Sequence, residues 1–290
     1  ELCCLVETFP AKHDSYEDYV KTLEIAYLYG KTVTLVNTHW RETNAIMLKN
    51  RRIGLSKSGV GQAFNKHTRR TMLQWCDDAY EHVREMDKEY ADWLCIPRSV
   101  RMTSIKPSGT VSLLNGSTPG IHFPENEFYI RRIRFGKDSD LLPTLEEAGY
   151  KIEDDKYSPN TVCVEFPVKE PFFVKGKKDV SMWEQLEIAS QYQHYWADNS
   201  VSITVTFNAN EAPQIKDALE LYESRLKAVS FLRYQETGYE QAPYEPITEE
   251  EYNEMVKGIT PIQRIDTEEE GVGSKYCTND SCDINFGEEQ

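Results

Sequence analysis

Residues 104–123 read Ser-Ile-Lys-Pro-Ser-Gly-Thr-Val-Ser-Leu-Leu-Asn-Gly-Ser-Thr-Pro-Gly-Ile-His-Phe. A strand-like run from Val100 to Ile105 ends at the turn Pro107-Ser108-Gly109-Thr110, and a short helical pattern, Val111 to Leu114, starts at once. Ser108 and Thr110 are of the types that cap a helix, and Gly109 lets the backbone approach a ligand closely. Such a turn presents unpaired N–H groups at the positive end of a helix, which suits a phosphate. Lys106 adds a full positive charge beside it. The same residues also fit an ordinary strand–turn–helix cap, and the two ends of the chain bear on the choice.

Near the carboxyl end, Cys277 and Cys282 are separated by Thr-Asn-Asp-Ser. Residues 265–290 hold eight acidic residues against one base, Lys275, and their few apolar residues follow no period. A stretch of this kind buries too little surface to offset its ordering entropy, so a mobile tail is expected. Asn279-Asp280 favours a turn that brings the two thiols within disulfide range. A reversible dithiol is the first reading. Zinc is the second, although the tail has no His and closing a site would need Cys3 and Cys4 from the far end; inert thiols are the third. At the other end, Glu1-Leu2-Cys3-Cys4-Leu5-Val6-Glu7 reads as a buried strand carrying two cysteines. The chain opens directly on this strand without an initiator Met, so residue 1 is expected to be a cut edge of something longer.

At 290 residues and 33.6 kDa the chain has enough length for one large core or two domains. No apolar run approaches the ~20 residues that span a bilayer. Seven cysteines, an odd count without framework spacing, suit a reducing compartment, so a cytoplasmic location is expected. A net charge of −15 argues against a nucleic-acid groove. The one basic cluster, Arg131, Arg132, Arg134 and Lys137, is expected to face water, since alternate residues of a strand point opposite ways. Gly54-Leu-Ser-Lys-Ser-Gly59-Val60 looks like a P-loop but has Val60 where the Lys should stand. The six histidines show no metal spacing, so no metal site is expected; His122, just after the turn, is the one placed to reach a substrate.

Helical and strand periods alternate from Leu2 to Tyr234. Residues 68–94 give the best helix, with Met72, Trp75, Cys76, Ala79, Val83, Met86, Tyr90 and Trp93 at three- and four-residue steps. Cys76 on that stripe and Cys95 at its end are expected in the core. Helix periods also appear at 15–29, 182–197, 210–224 and 248–257. Two strands are clear, one over Val162–Val168 and one over Val201–Phe207. Interleaved helices and strands argue for a mostly parallel α/β sheet or barrel with ligands at the carboxyl ends of its strands.

The phosphate-type turn, the cysteine of the N-terminal strand and the Cys-x4-Cys tail together resemble the second half of a ribonucleotide reductase large chain. Four further stretches resemble the adenosylcobalamin-dependent, monomeric type: Asn50-Arg-Arg-Ile-Gly-Leu-Ser56, Lys106-Pro-Ser-Gly-Thr-Val-Ser112, Tyr129-Ile-Arg-Arg-Ile-Arg134 and Trp196-Ala-Asp-Asn-Ser-Val-Ser202. The resemblance implies the C-terminal half of a ten-stranded α/β barrel of the ribonucleotide reductase type. In that frame residues 1–235 belong to the barrel, 236–262 form a loop and short helix packed on it, and 263–290 form a flexible acidic redox tail.

The roles it implies are residue by residue. Cys3 matches the cysteine that becomes half of a disulfide when the ribose 2′-hydroxyl leaves. Lys106, Pro107, Ser108, Gly109 and Thr110 match the loop that holds the substrate's phosphates. Cys277 and Cys282 match the pair that re-reduces the site and is itself reduced by a thioredoxin-type protein. No Asn-Pro-Cys-x-Glu pattern occurs in the chain. The radical-forming cysteine, the partner of Cys3 and most of the adenosylcobalamin surface are therefore expected on an upstream portion of the same enzyme. Ser230-Phe231 stands where the oxygen-dependent branch carries a radical-relaying tyrosine pair, which favours adenosylcobalamin. The alternatives are an oxygen-dependent ribonucleoside-diphosphate reductase large chain, and a non-catalytic nucleotide-binding module with a zinc-holding tail.

Overall fold

The computed structural model describes residues 1–109, 111–234 and 240–263. In chain order the elements are β1 (Cys4–Thr8), α1 (Tyr16–Val33), α2 (Arg41–Asn50), β2 (Ile53–Lys57), α3 (Val60–His67), α4 (Arg69–Leu94) and the single turn α5 (Val111–Leu114). They continue as β3 (Phe128–Gly136), α6 (Leu142–Glu147), β4 (Lys151–Asp154), β5 (Thr161–Lys169), α7 (Met182–Tyr195) and β6 (Thr204–Phe207). The last four are α8 (Ile215–Tyr222), β7 (Ser230–Arg233), β8 (Tyr244–Pro246) and α9 (Glu249–Lys257).

Parallel strands carry the helices. β1 pairs with β2 in parallel, Cys4 opposite Ile53 and Thr8 opposite Lys57, and β6 pairs with β7 in parallel. Residues 103–105 join the two pairs through parallel bridges, Leu55 to Thr103 and Ile105 to Val201. The run thus visits five extended segments in chain order, each reached through helical or longer crossovers, as parallel pairing requires. Asp198 and Asn199 fasten its middle. The Asp198 carboxylate accepts from the N–H groups of Met102 and Thr103, while the Asn199 amide donates to the carbonyls of Ile53 and Thr103.

α1, α4 and α7 cover one face of these strands, and Tyr19, Leu23, Ile53, Leu55, Met72, Ile105, Met182, Tyr192 and Trp196 are buried between the layers. The α4 stripe read from the sequence is this interface; Ser15, Thr68 and Ser181 cap α1, α4 and α7 by accepting from backbone N–H groups. A buried ion pair ties α1 to α4, with Lys31 Nζ 2.6 Å from Asp87 Oδ1. Tyr27 Oη donates to the same oxygen.

Several expectations change. The clear strand at 161–169 belongs not to the parallel row but to an antiparallel sheet of order β4-β5-β3-β8. Residues 240–262 contribute β8 and α9 to that sheet, with α9 lying against β3 and β5. The arginines of β3 are paired within the fold: Arg132 is buried against Glu165, its cross-strand partner, and also reaches Glu245, Arg134 pairs with Asp155, and the partly exposed Arg131 lies over the Tyr244 ring. β1 is half-buried rather than buried, since Leu5 is 53% exposed. Cys95 is exposed because it sits one residue past α4 in the left-handed region, turned away from the stripe that buries Cys76. Among the described residues no helix is long and apolar enough to cross a membrane.

Candidate functional site

Strand alternation divides β1 between two faces. Val6 packs toward α1, so close to Gly30 that a Cβ there would lie 3.0 Å from Val6 Cγ2. Cys3, Leu5 and Glu7 project from the opposite face. Cys3 Sγ and Leu5 Cδ2 lie over Gly54 of β2, where a Cβ would meet them at 3.0 and 2.5 Å. Ser104 flanks the same spot. The Cys3 thiol is held high, to about 11, mainly by burial and then by the neighbouring Cys4 thiol; the positive charges of Arg52 and Lys106 act the other way. Lys106 and Cys3 therefore share one electrostatic environment on the face opposite the helices.

The 106–110 turn follows directly on the segment 103–105. Lys106 and Ser108 are half-buried, Pro107 and Gly109 exposed, and Thr110 lies outside the described residues. Open space surrounds Gly109, with no atom within 4 Å of where a Cβ would stand. Ser108 N–H donates to the Lys106 carbonyl at 3.0 Å, and the Ser112 hydroxyl donates back to the Ser108 carbonyl. The Lys106 N–H donates to Ser56 Oγ at 2.9 Å, and Ser56 Oγ in turn donates to Glu7 Oε1 at 3.1 Å. Burial raises the Glu7 carboxyl to about 7, although Ser58 and Ser56 hydrogen bonds favour its ionised form.

Beside the turn is a cavity of about 340 Å³, walled by Pro107, Leu113, Phe123, Tyr129 and Tyr244, with Gly109 and Lys177 also lining it. His122 forms part of the wall. Its Nε2 accepts from the Thr204 N–H and its Nδ1 faces the Pro119 carbonyl, an arrangement that fixes the neutral Nδ1–H tautomer. Burial lowers its basicity further. It is a structural link from the turn to β6, with neither nitrogen left for a substrate. Glu170 accepts from Tyr129 Oη at 3.2 Å and from Gln62 Nε2, and the Gln62 amide also holds the Gly116 carbonyl at 3.1 Å. Burial raises the Glu170 carboxyl to about 7.

Of the residues singled out from the sequence, Cys3 and the turn from Lys106 to Gly109 lie on connected elements of the parallel row. Cys277 and Cys282 lie outside the described residues. Sequence reasoning missed Glu7 and Glu170. Glu7 carried a faint signal, as an acid inside an otherwise apolar strand on the same alternation as Cys3. Glu170 carried none, because its partners, Gln62 and Tyr129, come from two distant segments. Among the described residues no group of three or more His, Cys, Asp or Glu side chains is placed to hold a metal ion.

A scan of protein-family profiles finds no match. The chain is 47% identical, over 291 aligned positions and 98% of its length, to a Dictyostelium discoideum protein named a probable adenosylcobalamin-dependent ribonucleoside-triphosphate reductase; it covers 38% of that protein. It is 44% identical to the adenosylcobalamin-dependent ribonucleoside-triphosphate reductase of Euglena gracilis, with 97% of the chain and 40% of the relative aligned. The fold is similar to a crystal structure of a B12-dependent class II ribonucleotide reductase, with a TM-score of 0.80 and 33% identity over 89% of this chain and 40% of that one. A class Id ribonucleotide reductase alpha subunit from Actinobacillus ureae shares the fold alone, at a TM-score of 0.55 and 15% identity. The chain thus spans about two fifths of the length of the curated relatives it matches. By sequence and by fold, the chain is similar to about two fifths of the length of adenosylcobalamin-dependent ribonucleotide reductases.

Proposed function

We propose that the chain is the C-terminal part of an adenosylcobalamin-dependent ribonucleoside-triphosphate reductase, which converts ribonucleotides to deoxyribonucleotides for DNA synthesis. The observation that carries the reading is the meeting of the Cys3 thiol and the Lys106–Gly109 turn on one face of a parallel row. The five segments of that row are read as half of a ten-stranded barrel within residues 1–235, with residues 240–262 joining the antiparallel sheet beside it and 263–290 acting as the redox tail. The cytoplasm is the compartment that suits thiol chemistry of this kind.

In this reading the turn from Lys106 to Thr110 holds the substrate's phosphates and leaves the ribose toward Cys3. The 2′-hydroxyl leaves as water and is replaced by hydrogen, while Cys3 and a cysteine of an upstream portion give up two electrons and become a disulfide. A thiol held near 11 is protonated at neutral pH, so Cys3 is a donor of hydrogen and electrons rather than a standing nucleophile. Cys277 and Cys282 restore the thiols by exchange, and a thioredoxin-type protein restores the tail. Adenosylcobalamin supplies the initiating radical when bound. The cavity beside the turn is at the small end of the range for drug-sized ligands and does not fit a corrinoid. Most of the cofactor's bed is assigned to the upstream portion.

The test is complementation. Combined with the amino-terminal portion of a relative, the chain is expected to reduce a ribonucleoside triphosphate in the presence of adenosylcobalamin and a thioredoxin system. Cys3→Ser is expected to remove multiple turnover entirely. Cys277→Ser is expected to remove turnover with thioredoxin while leaving it with a small dithiol. Full activity of the Cys3→Ser protein would sink the assignment.

A further inference from the structure

Glu7 is a half-buried carboxyl that the reading above does not use. It projects from β1 on the same alternation as Cys3, two side chains further along that face, toward the carboxyl end of the strand. Its Oε1 accepts from Ser56 Oγ at 3.1 Å, and Ser56 Oγ accepts from the Lys106 N–H at 2.9 Å. Two hydrogen bonds therefore separate the carboxyl from the first residue of the turn. From the other side Ser58 reaches Glu7 and holds the Gly120 N–H at 2.8 Å, and Gly120 lies under the Lys106 carbonyl. Glu7 is thus clamped between the two chain segments that shape the turn.

The groups facing it are the hydroxyls of Ser56 from β2 and Ser58 just past it and, across the strand, the phenol of Tyr19 from α1. Among the described residues no ammonium or guanidinium offsets its charge, which is why burial leaves the acid with a midpoint near neutrality. A carboxylate so close beneath a turn that receives an anion is a like-charge neighbour in a poorly solvated place, and such pairs settle by keeping one member protonated. We infer that Glu7 is a positioning residue that takes up a proton whenever an anion occupies the Lys106–Gly109 turn, so that ligand binding there is coupled to its protonation. With its proton, Glu7 still accepts from Ser56 and keeps Lys106 in place, without repelling the phosphate.

This inference rests on the turn being the phosphate site, and the test separates the two. Sulfate serves as the probe, because it is a phosphate-shaped dianion that does not itself titrate between pH 5 and 9. It is titrated into the 290-residue chain, with the Gly109 amide resonance reporting the turn and the Glu7 side-chain carboxyl carbon reporting protonation. The Glu7 midpoint is expected to rise by about one pH unit or more at saturating sulfate, and sulfate affinity to fall about fivefold from pH 6.5 to 8. In Glu7→Gln the affinity is expected to stay flat over that range, near its low-pH value; Glu170, read separately, is expected not to move. A Glu7 midpoint unmoved by sulfate, while Gly109 responds, overturns the inference and leaves the phosphate site standing. Silence of Gly109 toward both sulfate and inorganic diphosphate overturns the site and the inference together. The wild-type titration alone decides the matter if Glu7→Gln does not fold.

Discussion

Gly54 has no side chain because Cys3 and Leu5 already occupy its space, and this crowding controls the chemistry of the sulfur. A thiol pressed against backbone, with Cys4 beside it, has little water to stabilise a thiolate, and burial outweighs the pull of Arg52 and Lys106. The consequence is measurable. Alkylation of Cys3 by iodoacetamide should accelerate about tenfold per pH unit from pH 8 to 10 and show no plateau before pH 10. The sign for stability follows from the same shift. The folded thiol ionises above the unfolded one, so stability is complete below the unfolded midpoint and falls as pH rises through the window up to about 11. A rate plateau below pH 9 would mean that Cys3 is more solvated than the structure shows. At this scale the sequence was informative where chemistry is local. The strand start next to Cys3 and the turn after Ile105 were legible from neighbours in the chain, whereas the exposure of Cys95 was not, because one left-handed residue at the end of a helix swings the side chain off the stripe.

Elements that pair with distant partners were the hardest to read. Helix periods report their own burial, so α1, α4, α7 and α9 were legible within a few residues. β3 and β5 were legible as strands, but nothing in either says that they pair with each other in an antiparallel sheet. Hence the burial of Arg132 against Glu165 emerged only with the register. Glu170 is the same case with more at stake. It joins α3, through Gln62, to β3, through Tyr129, and Gln62 carries the link on to Gly116 behind the turn. Its carboxyl is 4% exposed and titrates near 7, so the folded state keeps a proton that the unfolded state loses near the ordinary carboxylate value. Stability should therefore decline as pH rises from about 4.5 to about 7 and level off above, by about 3 kcal/mol at most from this residue. Glu170→Gln keeps the amide-sized shape and removes the titration. Denaturant melts from pH 5 to 8 should show a flatter profile for the variant, with the difference growing from about pH 5 and levelling off above about pH 7; parallel profiles would place the slope elsewhere.

Across the whole molecule, the parallel row begins at β1, which pairs on one side with β2 and, among the described residues, with no strand on its other side. A parallel strand with a free edge exposes unpaired N–H and C=O groups, and natural proteins rarely leave such an edge uncovered. The face that bears Cys3 is open as well, with Leu2 and Leu5 more than half exposed. Both features are what half of a barrel presents when the other half is supplied from elsewhere, as the two-fifths coverage of the curated relatives invites. If, as proposed, an upstream portion completes a barrel, it binds the folded chain and not the unfolded one, and so stabilises it by mass action. At a hundredfold excess over the dissociation constant that amounts to about 2.7 kcal/mol. For a domain of this size the melting temperature should rise by about 5–10 °C on adding the amino-terminal portion of a relative. Amide exchange at Cys4–Thr8 should slow at the same time, more than exchange in α4, which is already packed on its own core. If the melting temperature rose with no added protection in β1, the two pieces would associate through another surface, and the half-barrel reading would fail.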